Sequence, residues 1–283
     1  MNLKDKTSRK RAIFFANTIS EKMKIQSHIL LVFLLFLNHH SNGTMAFEPN
    51  RNTSFMREIP TKKDSISNIP ASFLALQKNS KGFCLVKGNN ASKQIALTFD
   101  DGPTEVSQKI IELLNKFDAK ATFFWMGERI KNNEHLIQMA KESGHLIANH
   151  SWNHENGYSF TNQFLWESQI ENTLKEFSKY GINDAKFYRP PYGAITQEQI
   201  DFLATKNIKT VLWSITTDDW DPNENKDNQM FQKFKDNLHP GAIVLLHDAD
   251  FGNVESKFKD VEKILKYGKS RGYQFVTLTE LNL

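Results

Sequence analysis

Short apolar runs alternate with longer amphipathic stretches along the chain from Gln94 onward. In the longer stretches, such as 106–117 and 254–267, apolar residues recur three or four positions apart, which predicts amphipathic helices. Strand-length apolar runs between helices are typical of a parallel α/β domain. Seven runs fit strands of this kind: 95–99, 121–126, 146–148, 186–188, 210–215, 242–246 and 274–278.

Polar residues that could take part in catalysis or metal binding follow nearly every predicted strand. They are Asp100, Asp101, His150, Arg189, Asp219, His247 and Asp248. In a (β/α) barrel the carboxyl ends of all strands share one rim, where active sites form. An open doubly wound sheet would instead gather its ligands at one switch point. The spread over many strand ends therefore favours a barrel.

The net charge of +4 belongs to the N-terminus. Residues 1–46 contain seven basic and two acidic residues, so the remaining chain carries a net charge of −1. A protein that binds nucleic acid through its folded part would show an excess of positive charge there. The distribution therefore predicts no nucleic-acid partner.

Residues 29–37 form an apolar run preceded by basic residues. The run is too short to span a bilayer, which takes roughly 20 residues, but it suits a secretory signal. We interpret 1–46 as a signal peptide or N-terminal anchor, with Met23 as an alternative start, although a short buried helix would give the same pattern. The prediction places the protein outside the cytoplasm, with the membrane contacted only through this segment.

Residues 47–92 are rich in Asn, Ser and Lys and show no sustained period, so we interpret them as a linker or N-terminal extension with local structure between 69 and 85. Cys84 is the single cysteine, which excludes an intramolecular disulfide and a cysteine metal cluster. We expect it to be a packed apolar residue.

Three side chains could hold a metal ion. His150 and His154 are four residues apart and can converge on one ion, and Asp101 would add a carboxylate from another strand end. Two nitrogens and one oxygen leave positions open for water and substrate. Each element also has a plainer interpretation, because Asp-Asp-Gly-Pro suits a turn and a pair of histidines at this spacing arises by chance.

Four further residues suggest chemistry at the same rim. Arg189 precedes two prolines that stiffen its loop, so its guanidinium could orient a carboxylate. Asp219 could pair with Arg189, and Trp220 could face a sugar ring or an acetyl methyl. His247 ends a buried strand and could act as a general acid or base.

Five motifs together resemble those of the polysaccharide deacetylases, the carbohydrate esterase family four with its NodB homology domain. They are TFDDG at 98–102, HSWNH at 150–154, RPPY at 189–192, DDW at 218–220 and LLHD at 245–248, and TLTEL at 277–281 is also similar. The resemblance covers 93–283, which we predict to be the deacetylase domain. It implies a distorted (β/α) barrel with about seven parallel strands.

The resemblance also implies a function and a role for each residue. It implies metal-dependent hydrolysis of N-acetyl, or of O-acetyl, groups on a polysaccharide, with release of acetate. Asp100 becomes the base, His247 the acid, Arg189 the residue that orients the base, and Asp219 the partner of Arg189. The remaining assignments are metal ligation by Asp101, His150 and His154, an oxyanion-binding backbone N–H at Tyr192, and an apolar lining from Trp220 and Leu245.

One motif departs from the family pattern. The fourth motif is usually written D-x-x-D-W, and Thr216 stands here at its first Asp. This departure puts the geometry of the loop and the choice of substrate in doubt more than the core chemistry.

Several alternatives stay open. Zinc suits two imidazoles and a carboxylate, and cobalt, nickel or manganese would also be accepted. Peptidoglycan, chitin-like N-acetylglucosamine polymers, exopolysaccharide and xylan are all possible substrates, and we expect a monomer. The competing hypotheses are a small-molecule amidohydrolase and a non-catalytic carbohydrate-binding protein.

Overall fold

The computed structural model describes residues 68–223, 226, 228–251 and 253–283. All of them belong to one compact unit, Lys62–Leu283. The predicted signal or anchor in 1–46 lies outside the described residues. Within the described part of the chain, none of the helices has the length and apolar character needed to cross a membrane.

Nine strands, counted over the described residues, form one sheet in which all strand pairs run parallel. They are β1 (Cys84–Leu85), β2 (Gln94–Asp100), β3 (Ala121–Trp125), β4 (Leu146–Asn149), β5 (Phe187–Tyr188), β6 (Lys209–Val211), β7 (Ile215–Thr216), β8 (Ala242–His247) and β9 (Gln274–Phe275). The order across the sheet is β1-β6-β5-β4-β3-β2-β8-β7, and β9 pairs with the start of β2.

Helices connect the successive strands from β2 to β6 and from β7 to β9, as parallel pairing requires. They are α1 (Ala71–Asn79), α2 (Glu105–Lys116), α3 (Gly127–Ile130), α4 (Glu134–Glu142), α5 (Asn162–Phe164), α6 (Asn172–Ser178), α7 (Gln197–Thr205), α8 (Gln229–Asn237) and α9 (Val254–Ser270). A π-helical segment, Leu165–Glu171, joins α5 to α6, and short 3-10 turns lie at Gly157–Ser159 and Pro191–Gly193.

The strands curl into a half-barrel whose two edges are bridged by the chain itself. Between β6 and β7, the backbone N–H of Leu212 donates to Leu85 O (2.8 Å) and that of Ser214 donates to Ile243 O (3.0 Å). This segment therefore contacts both β1 and β8. The α/β fold class and the distorted barrel predicted from the sequence are confirmed.

The strand count differs from the seven predicted. The sequence pattern predicts one strand over 210–215, but this run divides into β6 and β7 because the chain crosses there from one sheet edge to the other. β1 is a further strand, and it lies within the stretch 47–92 that the sequence assigned to linker or extension.

Burial on both faces explains the apolar character of the central strands. Every residue of β3, and every residue of β2 after Gln94, is buried, as expected for parallel strands covered by helices. The buried face of α2, which includes Ile110 and Leu114, packs in the same core cluster as Leu97 and Phe123. This rigid core fixes the positions of the strand ends that carry the polar residues.

Candidate metal and acid–base site

Two adjacent carboxylates at the end of β2 serve different partners. Asp100 closes the strand, and Asp101 follows with a positive φ of 75°. The carboxylate of Asp100 accepts from Arg189, whereas that of Asp101 faces His150 and His154. Both are almost fully buried. The left-handed backbone at Asp101, unusual for a residue with a side chain, is what separates the two.

A tightly hydrogen-bonded loop after β4 carries the two histidines. Ser151 and His154 both have positive φ, of 69° and 62°. Asn149 supports this turn, since its Oδ1 accepts from Ser151 N at 2.9 Å, and Ser151 Oγ accepts from His154 N at 3.0 Å. The loop thereby curls back and brings both imidazoles to one side.

The π-helical segment supports this loop from outside. Asn149 Nδ2 donates to Ile170 O at 3.0 Å, and Gln169 Oε1 accepts from Trp152 N at 3.1 Å. Gln169 and Ile170 both belong to Leu165–Glu171. A π-turn changes the intrahelical bonding register and is frequent at functional sites. The sequence pattern contained no signal for it.

Asp101, His150 and His154 converge as a possible metal site. One ligand atom from each lies within 4.8 Å of the other two. Asp101 Oδ1 is 3.2 Å from Nε2 of His150 and 3.2 Å from Nε2 of His154. Yet no residue in the described part of the chain donates a hydrogen bond to this buried oxygen. An orphaned buried carboxylate oxygen between two imidazole nitrogens is an arrangement that a cation would satisfy.

The protonation states of these groups differ. Burial disfavours the imidazolium of His150, but the Asp100 and Asp101 carboxylates outweigh it and raise the pKa of His150, so a bound cation would displace the proton from Nε2. Although burial opposes ionisation, the neighbouring His150 holds the pKa of Asp101 well below its usual range. His150 Nδ1 lies 2.9 Å from Arg189 O, and donation to this carbonyl would leave the lone pair on Nε2. Burial, together with the charge of His150, lowers the pKa of His154 and favours its neutral form. The residues present therefore fit a divalent metal ion.

Arg189 is a fully buried guanidinium beneath the site. It donates to Asp100 Oδ1 (2.8 Å) and Thr98 Oγ1 (2.7 Å) through one nitrogen, and to the carbonyls of Val211 and Leu212 through the others. Its charge also lies 4.3 Å from the ring centroid of Phe124. Arg189 therefore fixes one oxygen of Asp100.

The predicted pairing of Asp219 with Arg189 is wrong. Asp219 instead accepts from His247 Nδ1 at 2.8 Å through Oδ1, and from His247 N at 2.9 Å through Oδ2. Lys257 Nζ lies 3.2 Å from the same Oδ2. The reason is topological: Asp219 follows β7, which pairs with β8 and so lies next to His247.

The electrostatics of this second cluster favour an ion pair. Although burial opposes ionisation, the charges of His247 and Lys257 hold the pKa of Asp219 at about 2. Burial disfavours the imidazolium of His247, but the Asp219 carboxylate outweighs it and raises the pKa of His247 above its usual value. His247 is thereby suited to hold a proton near neutral pH.

Asp248 and Lys257 are buried polar residues next to the site; the sequence placed Asp248 at the rim without a role and did not indicate Lys257. Asp248 accepts from Gly102 N (2.9 Å), Trp125 Nε1 (2.8 Å) and Ser107 Oγ (2.5 Å), and so anchors the turn after Asp101. Burial raises its pKa to about 6. Its position at the end of an apolar strand was a usable signal, whereas Lys257, on α9, carried none.

The predicted substrate-binding residues differ in exposure. Tyr192 is 64% exposed and Trp220 is 51% exposed, whereas Leu245 is buried at 6% in β8. The Tyr192 ring lies 4.7 Å from that of His154, which places it beside the metal ligands. Two exposed aromatic rings on loops that follow strand ends are suited to contact a sugar.

Thr216 and Asp218 form a separate arrangement at the fourth motif. Thr216 Oγ1 donates to Asp218 Oδ1 at 2.7 Å, and Lys233 of α8 pairs with Asp218 Oδ2 at 2.5 Å. Asp218 is therefore engaged with α8, and it does not replace the missing Asp in the acid–base cluster.

The carboxyl rim of this half-barrel carries an Asp-His-His cluster and two ion pairs, Asp100 with Arg189 and Asp219 with His247. This arrangement is of the kind that a metal-dependent hydrolase uses. The family model described as polysaccharide deacetylase matches residues 87–230. The chain belongs to this family.

Proteins named as deacetylases are similar to this chain in sequence. One peptidoglycan-N-acetylglucosamine deacetylase of Bacillus cereus is 32% identical over 189 residues, covering 66% of this chain and 68% of its own. Another from the same organism is 36% identical over 196 residues, covering 68% and 89%.

Solved structures are similar as well. A peptidoglycan N-acetylglucosamine deacetylase in complex with 4-naphthalen-1-yl-N-oxidanyl-benzamide superposes with a TM-score of 0.66 at 30% identity, covering 71% of this chain and 92% of the other. A family pseudoenzyme from Bacillus anthracis has a TM-score of 0.63 at 25% identity, with coverage of 70% and 68%.

Proposed function

We propose that this protein is a metal-dependent deacetylase that removes N-acetyl groups from an N-acetylglucosamine polymer and releases acetate. Peptidoglycan is the first substrate to test, because the relatives in Bacillus cereus are named for it. The observation that carries the proposal is the pairing at the rim: Asp100 with Arg189, and His247 with Asp219, around the Asp101–His150–His154 cluster.

Asp101, His150 and His154 would hold the ion, and zinc fits two imidazoles and one carboxylate best. When bound, such an ion supplies Lewis acidity and lowers the pKa of water toward about 7. The ligand set leaves coordination positions for water and substrate. O-acetyl hydrolysis would need the same chemistry.

Asp100 serves as the base in this proposal. Its Oδ1 is held by Arg189, and its Oδ2 lies 3.8 Å from His150 Nε2, next to the metal cluster. It takes one proton from water as the new C–O bond forms at the acetyl carbon. A backbone N–H at Tyr192 is the proposed donor to the oxyanion, and one such donor is worth roughly 3–4 kcal/mol.

His247 serves as the acid. The amine is too basic to leave as an anion, so the C–N bond breaks only as the nitrogen gains a proton. Asp219 holds His247 Nδ1, which leaves Nε2 as the atom that donates. The products are acetate and a free amine on the sugar, and exposed Trp220 and Tyr192 would contact the substrate at the rim.

The proposed substrate class and the predicted signal peptide or anchor in 1–46 both favour an enzyme that acts outside the cytoplasm. Acetate release from peptidoglycan, chitooligosaccharides and acetylated xylan, measured with the purified protein, tests the proposal. We expect release from the N-acetylglucosamine polymers, loss of release on chelation and recovery with zinc. Glycan binding without acetate release from any substrate would support the non-catalytic alternative, and release restored by zinc in an Asp100→Asn variant would contradict the base assignment.

A further inference from the structure

Lys257 is a fully buried lysine with no place in the deacetylase motifs. It lies in the first turn of α9, and its ammonium contacts three oxygens: Asp219 Oδ2 at 3.2 Å, His247 O at 3.0 Å and Ala249 O at 3.2 Å. Three acceptors match the three donors of an ammonium group. Burial of a lysine is rare and costly unless the charge is paired.

The carboxylate of Asp219 is shared between this lysine and the candidate acid. Oδ1 accepts from His247 Nδ1, and Oδ2 is near both His247 N and Lys257 Nζ. Asp219 and Lys257 are both 0% exposed. Water therefore contributes little to the stability of the Asp219 charge, which depends on its neighbours.

The need for Lys257 follows from what happens when the acid works. His247 gives its proton to the leaving amine and becomes neutral, whereas Asp219 stays an anion. Without Lys257, this buried carboxylate would lose the positive charge that stays 3.2 Å from Oδ2 after the proton has left, and removing the counter-charge of a buried ion is strongly disfavoured. The imidazolium would accordingly hold its proton more tightly and be a poorer acid.

We propose that Lys257 is a positioning residue that keeps a positive charge beside Asp219 throughout the reaction, so that His247 can release its proton. The proposal rests on the proposed function. Lys257 also binds the carbonyls of His247 and Ala249, and so holds the segment that carries the acid.

Other charged groups also act on His247, and they set the background for the test. Asp100 and Asp101 lie at the end of the neighbouring strand β2, and His154 comes from the loop after β4. All three are unchanged in variants of Lys257. A change in the proton affinity of His247 in such variants therefore reports the loss of the lysine charge.

The test compares Lys257→Met, which removes the charge, with Lys257→Arg, which keeps it. Proton affinity of His247 is measured by NMR titration of the full-length protein with labelled histidine, and a His247→Gln sample identifies the signal among nine histidines. We expect Lys257→Met to raise this affinity about tenfold or more, which is one pKa unit, and Lys257→Arg to leave it within about twofold.

Acetate release provides the second measurement. In Lys257→Met, kcat at neutral pH should fall about tenfold with little change in KM, and the alkaline limb of the pH profile should move upward. If Lys257→Met does not fold, Lys257→Gln is measured instead, because it is neutral but can still donate to the two carbonyls.

The proposal is overturned if a folded neutral variant binds the His247 proton no more tightly than the wild type. It is also overturned if Lys257→Arg changes the affinity as much as Lys257→Met. If the wild-type protein releases no acetate from any acetylated glycan, the proposed function fails, yet the titration still decides whether Lys257 controls His247.

Discussion

Replacement of Arg189 by Met is the perturbation for which the structure allows the clearest estimate. Met has a similar length but no charge and no N–H donors. The change leaves the buried carboxylate of Asp100 without its guanidinium and removes the donors from Thr98 and from the carbonyls of Val211 and Leu212. Because Arg189 is 0% exposed, water cannot take over these bonds without disturbing the core.

The expected loss of stability is large. Removing one partner of a buried ion pair costs roughly 3–5 kcal/mol, mostly because the other charge remains buried. The unpaired carbonyls can only add to this cost. We therefore expect Arg189→Met to lower the free energy of unfolding by at least about 3 kcal/mol, a factor of more than about 100 in the folding equilibrium.

The assay is equilibrium unfolding in urea, followed by tryptophan fluorescence and extrapolated to water. Lys175→Met is a control, since Lys175 forms an exposed pair with Glu171 and its loss should cost at most about 1 kcal/mol. An Asp100→Asn/Arg189→Met double variant removes both charges and should recover about 2 kcal/mol of the loss. A cost below about 1 kcal/mol for Arg189→Met, or no recovery in the double variant, would refute this reasoning.

Three further predictions follow from the site. Asp101→Asn should weaken zinc binding by about 100-fold or more in calorimetric titrations, because the orphaned buried anion between the imidazoles is lost; unchanged affinity would exclude this residue as a ligand. Asp219→Asn should move the alkaline limb of acetate release to lower pH, because the carboxylate that raises the pKa of His247 is gone; a limb that stays in place would contradict the pairing. Gln169→Met should weaken zinc binding severalfold by freeing Trp152 N, whereas Gln169→Glu, which keeps the acceptor, should bind normally; equal effects of the two variants would argue against support by the π-helical segment.

The ionised state of Asp219 also predicts a stability change in acid. Its folded pKa of about 2 lies below the value of 3.8 expected when unfolded, so its contribution is present above pH 3.8 and is lost as the pH falls toward 2. The metal-free wild type should lose about 2 kcal/mol over this window relative to Asp219→Asn. Parallel unfolding curves for the two proteins from pH 4 to pH 2 would contradict the depressed pKa.

Much of the site could be predicted from the sequence, because parallel strands place their carboxyl ends on one rim. Asp101 follows β2 and the two histidines follow β4, so hydrophobic pattern alone indicated that they could meet. The five motifs then indicated the family, which the comparisons confirmed. Residue type and position after a strand were sufficient to predict the metal cluster, because this prediction did not require a choice between alternative partners.

The partner of Asp219 could not be chosen in the same way. Arg189 and His247 both follow strand ends, and only the pairing of β7 with β8 places Asp219 against His247. Lys257 lies ten residues beyond His247 on a helix, and its approach to the carboxylate depends on how α9 packs. The division of 210–215 into two strands and the π-helical support of the histidine loop likewise depend on contacts between segments far apart in the chain. Local pattern determined which residues reach the rim of this protein. Tertiary packing decided which charges are paired there, because pairing depends on distances between segments that are far apart in the chain and cannot be read from the local pattern.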